Sequence, residues 1–411
     1  MDHKELKPVG RVSGVVEISG AKNSALLLLA ATVLLKKPVL FYRMPDISDV
    51  RNMCDLLALL NVKVRWLARD SLYVDPTHVR YQELCTESCG EIRTSVLFLG
   101  VLLGKYRQAC LKTPGGCHLG PRPIDFHVGA MRDFGAQVVL EGTILRACLE
   151  AVQDTDIIFK RSSVTATVNA MLCGVSLPTT TRIHQAAKEP EIDDLIQFLQ
   201  LAGGDVQREA GDIVIRGGQD LQLEQYKVMP DRIEAGTFLI AATILQGSVT
   251  VTEVVPQHMT ALLSALRQAG ASVEIGDKTI TLMMNRRPLP VDIEAKEYPE
   301  FPTDLQPQWC VLACLANGSS RITDHIFSER FDHMDELAKK GAKFTYKANG
   351  VEINGVDFLE GSEVYAKNLR SAAALVLSGL VARGKSKIIK ISVLNRGYPG
   401  FFLKINNILS N

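Results

Sequence analysis

The segment Leu266-Arg-Gln-Ala-Gly270-Ala-Ser-Val273 decides the fold class of this chain, because variants of it recur along the sequence. Its apolar residues have the spacing of a helix's last turns. A glycine then stands where a left-handed C-cap is needed, and an alternating strand begins. The other copies, in chain order, are residues 56–64, 131–138, 198–206 and 337–344. Asn61 replaces the glycine in the first of them.

A recurrence of about 70 residues is too long for a solenoid and typical of a small α/β unit used several times. A sixth unit begins near Lys404, where Ile405, Ile408 and Leu409 keep helical spacing, and the chain stops at Asn411 before a glycine and a strand. Six units fill the 411 residues, which are too many for one hydrophobic core. The sequence therefore predicts an α/β protein of two domains with three units each.

The composition argues against several classes of protein. The chain is 46% hydrophobic and 22% charged, as in ordinary globular proteins, and its 46 basic and 45 acidic side chains disfavour nucleic-acid binding. The longest apolar run, residues 25–35, is too short to cross a membrane and lies too deep for a signal peptide. Nine scattered cysteines are typical of a reduced protein. We expect a cytoplasmic protein without nucleic-acid or membrane partners.

The run Ile18-Ser-Gly-Ala-Lys22-Asn-Ser-Ala25 closes an alternating segment and opens an apolar helix. A glycine-containing turn at a helix N-terminus presents unpaired N–H groups and the positive end of the dipole, and Lys22 adds a full charge. This pattern indicates a phosphate or carboxylate site. An exposed lysine in an ordinary turn fits it equally well.

Residues 113–125 read Thr-Pro-Gly-Gly-Cys117-His118-Leu-Gly-Pro-Arg122-Pro-Ile-Asp125, with three glycines and three prolines, and therefore form a loop. A thiol beside a histidine and an arginine can have a lowered pKa and act as an acid or a nucleophile. Most cysteines are instead inert and buried, and Cys54, Cys148, Cys173, Cys310 and Cys314 lie in apolar stretches that fit this alternative. Cys117 is the functional candidate.

The run Glu300-Phe-Pro-Thr303-Asp304-Leu-Gln-Pro-Gln308 is a third candidate. Thr303 or Asp304 has the sequence context of a helix N-cap, which requires no catalytic role. A carboxylate at a helix start can also serve as a general base. The residues alone leave both interpretations of Asp304 open.

Two lookalike motifs are set aside. Residues 379–386 match the phosphate-loop pattern, but a helical run precedes them and a strand-like run follows, the reverse of the order that loop needs. We interpret them as a helix-to-strand turn. The pairs Cys85/Cys89 and Cys310/Cys314 lack an accompanying histidine pair, so no metal site is expected.

A set of motifs from residue 14 to residue 398 resembles the enolpyruvyl transferase family and follows its order. The motifs are Ser19-Gly-Ala-Lys22-Asn23, Pro114-Gly-Gly-Cys117 with Gly120-Pro-Arg122-Pro-Ile-Asp125, Ala186-Ala-Lys-Glu189-Pro-Glu191-Ile, Pro230-Asp231-Arg232-Ile-Glu-Ala-Gly-Thr-Phe238, Phe301-Pro-Thr-Asp304, Phe327-Ser-Glu-Arg330-Phe and Asn395-Arg396-Gly-Tyr398.

The resemblance implies a fold of two domains, each of three βαβαββ units, in the inside-out α/β barrel of the enolpyruvyl transferases. The active site would lie in the interdomain cleft. One domain would comprise 22–229 and carry the lid loop with Cys117. The other would comprise 1–21 plus 230–411 and carry Asp304 and Arg396.

The resemblance also implies an activity. The enolpyruvyl group of phosphoenolpyruvate would pass to the 3-hydroxyl of UDP-N-acetylglucosamine through a tetrahedral ketal, with release of phosphate. This is the first committed step of peptidoglycan precursor synthesis in bacteria. No cofactor or metal is implied.

Residue roles follow from the same resemblance. Lys22, Arg122 and Arg396 match the residues that bind the phosphate and carboxylate of phosphoenolpyruvate, with Asn23 beside them. Cys117 matches the proton donor to C3, which can also form an adduct at C2, and Asp304 matches the carboxylate at the sugar 3-hydroxyl. Further substrate contacts are implied for Arg93, Pro123, Ile124, Asp125, Phe126, Arg161, Ser163, Val164, Ile326, Arg330 and Arg370.

Four features depart from the family pattern. Asn368 stands where the family usually has Asp, Arg161 where Lys is expected, Thr165 where Gly is common, and Pro399-Gly-Phe-Phe402 replaces an acidic helix start, with the last strand missing. They keep two alternatives open: a paralogue acting on another uridine nucleotide in secondary metabolism, and a non-catalytic nucleotide-binding relative. The shikimate-phosphate branch is disfavoured because Gly90-Glu-Ile-Arg93-Thr-Ser95 differs from its motif.

Overall fold

The computed structural model of the protein describes residues 2–87, 89, 93–113 and 124–409, with Arg93 described by its backbone alone. The described chain divides into two compact units, one of 2–19 with 230–409 and the other within 20–229. The domain limits implied by the resemblance, 22–229 and 1–21 plus 230–411, stay predictions.

The α-helices whose residues are all described are α1 (Lys22–Thr32), α2 (Ser48–Leu59), α3 (Leu97–Tyr106), α4 (Asp125–Asp133), α5 (Val164–Gly174), α6 (Pro190–Leu201), α7 (Arg232–Ile244), α8 (Thr260–Gln268), α9 (Gln306–Leu315), α10 (Asp332–Ala338), α11 (Leu369–Val381) and α12 (Phe401–Ile408). Short 3₁₀ turns cover Arg93–Val96, Pro256–Met259, Thr303–Leu305 and Ile391–Arg396.

The strands of the described chain are β1 (His3–Leu6), β2 (Ser13–Glu17), β3 (Val39–Tyr42), β4 (Lys63–Ala68), β5 (Ser71–Asp75), β6 (Gln108–Lys112), β7 (Gln137–Glu141), β8 (Ile144–Cys148), β9 (Thr155–Ile158), β10 (Thr180–His184), β11 (Asp205–Glu209), β12 (Asp212–Arg216), β13 (Gln225–Lys227), β14 (Ser248–Thr252), β15 (Ser272–Ile275), β16 (Thr279–Met283), β17 (Ile293–Ala295), β18 (Ser319–Asp324), β19 (Lys343–Lys347), β20 (Gly350–Asn354), β21 (Glu363–Tyr365) and β22 (Ser386–Ile389).

Within the described residues these strands form six sheets, three in each unit. The unit within 20–229 has the orders β13-β3-β5-β4, β6-β8-β7 and β11-β12-β10-β9; the other has β15-β16-β14-β2, β17-β18-β20-β19 and β1-β22-β21. Two sheets show the complete βαβαββ order along the chain, β9-α5-β10-α6-β11-β12 and β17-α9-β18-α10-β19-β20. The predicted α/β class and its repeated unit are confirmed.

The recurring helix ends have the predicted geometry. The backbone has a left-handed φ of 63° at Asn61, 92° at Gly135, 97° at Gly203, 98° at Gly270 and 87° at Gly341. After α8 the Gly270 N–H donates to the Arg267 carbonyl (3.0 Å) and the Ala271 N–H to the Leu266 carbonyl (3.1 Å). The other four ends make the same two bonds. This is the Schellman pattern, which satisfies carbonyls that a helix end would otherwise leave unpaired.

Residues from the two ends of the chain pair with each other. Strand β1 pairs antiparallel with β22, with His3 opposite Ile389 and Leu6 opposite Ser386. At the other end Leu409 bridges to Val12 just before β2. Among the described residues no named strand follows α12, and residues from the start of the chain lie beside the final segments. Sequence order alone could not show this pairing.

Each unit is built around helices that are buried on nearly all sides. Helices α3 and α5 approach so closely that a Cβ at Gly100 would lie 2.1 Å from the Asn169 carbonyl oxygen. Helix α1, which contains most of the apolar run 25–35, is also a buried core helix, since residues 24–32 are buried throughout. In the described chain, no helix combines the length and apolarity that a membrane span requires.

Lys340 is an internal lysine of the unit that contains β22. Its side chain is fully buried, and its Nζ donates to Ser386 Oγ at 2.6 Å. Burial lowers the pKa of Lys340 to about 8. The pKa in an unfolded chain is about 10.4, so the unfolded state binds this proton more tightly and burial of the charge costs stability.

Replacing Lys340 by Met should raise the free energy of unfolding at pH 7 by about 1–3 kcal/mol, after the loss of the Ser386 bond is counted. In the unmodified protein, stability should rise with pH between about 8 and 10.4, because the unfolded state then binds more protons; the variant should lack this rise. Urea unfolding at pH 7 and at pH 10 measures both effects. Lys339→Met, at the adjacent exposed lysine, is the control, and equal behaviour of the two variants would contradict the prediction.

Candidate active site

Lys22 is the first residue of α1, as the glycine turn predicts. The turn is tight, because a Cβ at Gly20 would lie 1.8 Å from the Arg43 carbonyl oxygen, so only glycine fits there. Lys22 Nζ lies 3.1 Å from Asp49 Oδ2 at the start of α2, and both side chains are largely buried. Asn23 follows and is half-buried. Lys22 is therefore a positioned cation and not an exposed turn lysine.

A buried carboxylate that the sequence did not reveal holds the first turn of α1. Ser24 Oγ donates to Asp194 Oδ2 on α6, and Tyr226 Oη on β13 donates to Asp194 Oδ1 at 2.8 Å. Burial raises the pKa of Asp194 to about 6. Asp194 thus ties the Lys22–Asn23 end of α1 to two other elements. Its sequence context, the interior of an amphipathic helix, carried no signal of this.

The two predicted acceptor-contact segments of this unit lie together. Phe126 and Phe159 are in edge-to-face contact at 6.2 Å, and the Arg161 guanidinium lies 5.5 Å from the centre of the Phe126 ring. His127 contacts the Thr165 hydroxyl at 3.2 Å and the Asn169 amide at 2.9 Å.

Four of the predicted residues at this place belong to helix starts. Ile124 precedes α4 and Asp125 is its exposed first residue; Ser163 precedes α5 and Val164 is its first residue. Thr165, which departs from the family pattern, is the second residue of α5, and its hydroxyl contacts His127. The starts of α4 and α5 present one continuous group of side chains.

Other predicted residues lie outside the described chain. Cys117, Arg122 and Pro123 fall in 114–123, and the side chain of Arg93 is likewise not described. Their roles remain predictions from the sequence.

Asp304 lies at the centre of an ion-pair cluster in the other unit. Arg330 Nη1 lies 2.9 Å from Asp304 Oδ1, and Arg370 Nη2 donates to Asp304 Oδ2 at 2.7 Å. Both arginine side chains are about 95% buried, whereas the Asp304 side chain is 21% exposed. Burial alone would lower the pKa of Arg370, but the Asp304 carboxylate outweighs burial and raises it. Asp304 is thus a charged acceptor held by two cations.

The N-cap interpretation of this segment is wrong. Residues 303–305 form a 3₁₀ turn, and α9 begins only at Gln306 without a side-chain cap. The Thr303 hydroxyl donates to Asp324 Oδ2 at 2.5 Å and accepts from Arg330 Nη1 at 2.9 Å. Long-range partners therefore use both side chains that a cap would have needed.

Asp324, Tyr398 and Arg396 surround the ion-pair cluster of Asp304. Asp324 Oδ1 accepts the N–H groups of Ile326 and Phe327, which shapes the segment before Arg330. The Arg370 guanidinium lies 5.4 Å from the centre of the buried Tyr398 ring. Arg396 ends the 3₁₀ turn next to Tyr398 and is half-buried.

Two N–H donors of the cluster have no hydrogen-bond acceptor among the described residues. Arg330 Nε and Arg370 Nη1 are buried, and neither has a hydrogen-bond acceptor among the described residues. A buried, unpaired guanidinium N–H is costly, and a bound anion or oxygen-rich ligand would satisfy it. Asp304 therefore stands beside an incomplete cationic site.

Asn368 caps α11 and also contacts a carboxylate. Its Oδ1 accepts from the backbone N–H groups of Arg370 (3.1 Å) and Ser371 (2.9 Å). Its Nδ2 donates to both oxygens of Asp332, at 3.3 and 3.2 Å. An amide at this position has a physical reason in this chain, because an aspartate here would face a second carboxylate.

Replacing Asn368 by Asp should therefore lower the free energy of unfolding by about 1–3 kcal/mol at pH 8. The two carboxylates would raise the pKa of the pair, so the loss should shrink as pH falls and one carboxyl keeps its proton. The double variant Asp332→Asn/Asn368→Asp reverses the hydrogen bond and should recover most of the stability. Urea unfolding of the three proteins tests this, and an equal loss in the double variant would contradict it.

Turnover of Asn368→Asp should change by less than about tenfold.

The structure describes the segment that matches the phosphate-loop pattern and the Cys310/Cys314 pair. Residues 379–386 join the end of α11 to β22, with a left-handed φ of 88° at Gly384, so they form a helix-to-strand turn. Cys310 and Cys314 are buried within α9, and burial raises both thiol pKa values, that of Cys314 to about 12. Residues 379–386 are therefore not a phosphate loop, and Cys310 and Cys314 have the environment of core thiols.

Comparisons with known proteins identify the family of the chain. The family model described as EPSP synthase (3-phosphoshikimate 1-carboxyvinyltransferase) matches residues 6–405. The chain is 38% identical over 400 residues to UDP-N-acetylglucosamine 1-carboxyvinyltransferase of Hydrogenovibrio crunogenus, covering 97% of this chain and 96% of the relative. It is 37% identical over 410 residues to the protein of that name from Helicobacter pylori, covering 99% and 97%.

Solved structures confirm the predicted fold type. The enolpyruvyl transferase NikO from Streptomyces tendae matches with a TM-score of 0.89 at 22% identity, covering 99% of this chain and 97% of that chain. EPSP synthase from Acinetobacter baumannii matches with a TM-score of 0.74 at 18% identity, covering 100% and 99%. At these identities the likeness concerns the fold alone.

Proposed function

The chain belongs to the EPSP synthase family, the 1-carboxyvinyl (enolpyruvyl) transferases, and from this premise we propose that it transfers the enolpyruvyl group of phosphoenolpyruvate to the 3-hydroxyl of UDP-N-acetylglucosamine. Phosphate is the second product, and the product nucleotide would enter peptidoglycan synthesis. We place the reaction in the cytoplasm, as the scattered cysteines predict.

The choice of acceptor rests on the relatives. Proteins named UDP-N-acetylglucosamine 1-carboxyvinyltransferase match this chain at 37–38% identity over nearly the full length of both partners. The observation that carries the catalytic part of the proposal is the Asp304 cluster. It combines a partly exposed carboxylate with two buried guanidinium groups that still have unpaired donors.

Binding comes first in the proposed mechanism. Phosphoenolpyruvate carries a phosphate and a carboxylate, and Lys22, Arg122 and Arg396 are proposed to bind these charges. Lys22 suits this role because the start of α1 adds the positive end of the helix dipole. The group formed by Phe126 and Arg161 is proposed to contact the acceptor nucleotide.

Proton transfers then activate both reactants. Cys117 would donate a proton to C3 of the enol, which makes C2 electrophilic, and Asp304 would accept the proton of the 3-hydroxyl as its oxygen attacks C2. The resulting ketal loses phosphate and a C3 proton to give the enol ether. Fixed cations would stabilise the charge that develops on the phosphate during this step.

The proposal is tested by measuring phosphate release from purified protein with phosphoenolpyruvate and a panel of acceptors. The panel comprises UDP-N-acetylglucosamine, other uridine nucleotides with a free sugar hydroxyl, and shikimate 3-phosphate. Omission of the acceptor gives the background, and NMR of the product identifies the hydroxyl that is modified.

We expect the highest kcat/KM with UDP-N-acetylglucosamine and an enol ether at the sugar 3-oxygen. A different uridine nucleotide with at least tenfold higher kcat/KM would replace this proposal with the paralogue alternative. Nucleotide binding without phosphate release from any acceptor would favour the non-catalytic alternative.

A further inference from the structure

Cys85 and Cys110 lie side by side although 25 residues separate them. Their Sγ atoms are 3.2 Å apart. The backbone explains the pairing, because Leu84 forms a parallel bridge with Leu111, and its N–H donates to the Cys110 carbonyl at 2.8 Å. Side chains alternate between the two faces of a strand, so Glu83 and Cys85 share the face on which Cys110 lies.

Glu83 completes a group of three ligand atoms. Its carboxylate oxygen and the two sulfur atoms all lie within 4.8 Å of one another. Glu83 is exposed, Cys85 is partly exposed and Cys110 is 2% exposed, so the group opens to solvent on one side. Arg146 lies opposite Cys110 in the sheet, and its Nη1 donates to Glu83 Oε1 at 3.0 Å.

We propose that Glu83, Cys85 and Cys110 form a binding site for one thiophilic divalent metal ion of the zinc class. Two thiolates and one carboxylate are a donor set that zinc uses, and three protein ligands leave one tetrahedral position for solvent. The charges also balance, since the three anionic ligands are offset by the dication and by Arg146. Arg146 would hold the Glu83 carboxylate in place, as hydrogen-bonded outer partners do for metal ligands.

This arrangement differs from the motif that was rejected in the sequence. The sequence pairs Cys85 with Cys89 at helical spacing, whereas the structure brings Cys85 to Cys110 through the bridge between Leu84 and β6. The third ligand, Glu83, lies on the other side of Leu84 in the chain. The proposed site is independent of the proposed transferase activity.

Metal binding is tested on the reduced full-length protein with Co²⁺ as a spectroscopic probe and Zn²⁺ as the competitor. Co²⁺ should give a thiolate-to-cobalt charge-transfer band at one ion per chain, which Zn²⁺ should abolish. Cys85→Ser and Cys110→Ser should each weaken Co²⁺ affinity by more than about 100-fold, the upper end of the loss when an outer partner is removed. Cys148→Ser is the matched control, an exposed cysteine of the same sheet, and should bind Co²⁺ like the unmodified protein.

A second measurement needs no variant. Saturating Zn²⁺ should protect the Cys85 and Cys110 peptides from iodoacetamide, as read by mass spectrometry, and leave Cys148 alkylated. The proposal is overturned if the reduced protein gives no charge-transfer band, or if Zn²⁺ protects neither peptide. It is also overturned if Cys85→Ser and Cys110→Ser, shown to be folded by circular dichroism, keep full affinity. A Cys85–Cys110 disulfide in air-oxidised protein, with no metal uptake after reduction, would assign the pair to redox chemistry instead.

Discussion

Replacing Asp304 by Asn should lower turnover by roughly 10²–10⁴-fold, the range typical for loss of a general base. The amide keeps the shape of the side chain and can still accept a hydrogen bond, but it cannot take the proton of the attacking hydroxyl. Binding of the acceptor nucleotide should persist, so the effect should fall on kcat. Steady-state phosphate release and calorimetric binding of UDP-N-acetylglucosamine measure the two quantities.

Asp304 also holds Arg330 and Arg370, so the control must separate catalysis from the loss of an ion pair. Asp357→Asn is suitable, because Asp357 pairs with Arg287 at 2.6 Å on the surface of the same unit. It should leave turnover unchanged. Thermal unfolding of both variants shows whether each is folded at the assay temperature. A loss below about tenfold in a folded Asp304→Asn protein would remove Asp304 from the role of base.

Alkylation of Cys117 by the phosphonate epoxide fosfomycin should abolish activity, and Cys117→Ser should lower turnover by roughly 10²–10⁴-fold, since the proposed proton donor is lost. The physical reason for selectivity is local charge. His118 and Arg122 neighbour this thiol in the sequence and, with the other proposed cations, can attract the phosphonate and favour the thiolate. Mass spectrometry should place the adduct on the Cys117 peptide.

The remaining cysteines provide the controls. Burial raises the pKa of Cys54 and of Cys314 to about 12, so these thiols should stay protonated and unreactive. Cys148 is exposed at the end of β8, which corrects the expectation of a buried thiol from its apolar stretch, so it reports unselective alkylation. An adduct on Cys148 as abundant as that on Cys117, or inhibition that persists in the absence of any Cys117 adduct, would contradict the assignment.

The candidate site was predictable where a single segment carries the signal. The tight turn at Gly20 and the placement of Lys22 at the start of α1 follow from the residues on either side of them. The partners of these residues were not predictable. Asp49 and Asp194 reach the start of α1 from other helices, and their own sequence contexts are those of ordinary helical acids.

Asp304 shows the limit most clearly. Its local sequence indicated either a helix cap or a base, and the cap is excluded by partners 26 and 66 residues away, Arg330 and Arg370. Asn368 is similar, because its departure from the family pattern became explicable only when Asp332 was found beside it. The polar partners of these residues are close in space but far away in the sequence, so the local sequence does not reveal them.

By itself the sequence determined the repeated α/β unit, the five helix ends with their left-handed residues, the family and the rejection of the phosphate loop. The unit, the helix ends and the rejected loop depend on backbone preferences and periodicities within about ten residues, which the local residue types set, whereas the family follows from the order of its motifs along the chain. The tertiary structure alone decided that β1 completes the last sheet, that two buried arginines hold Asp304, and that Cys85 meets Cys110 and Glu83. Each of these pairings joins distant segments, and which segments meet is settled by how sheets and buried helices pack, since that packing brings the segments within contact distance.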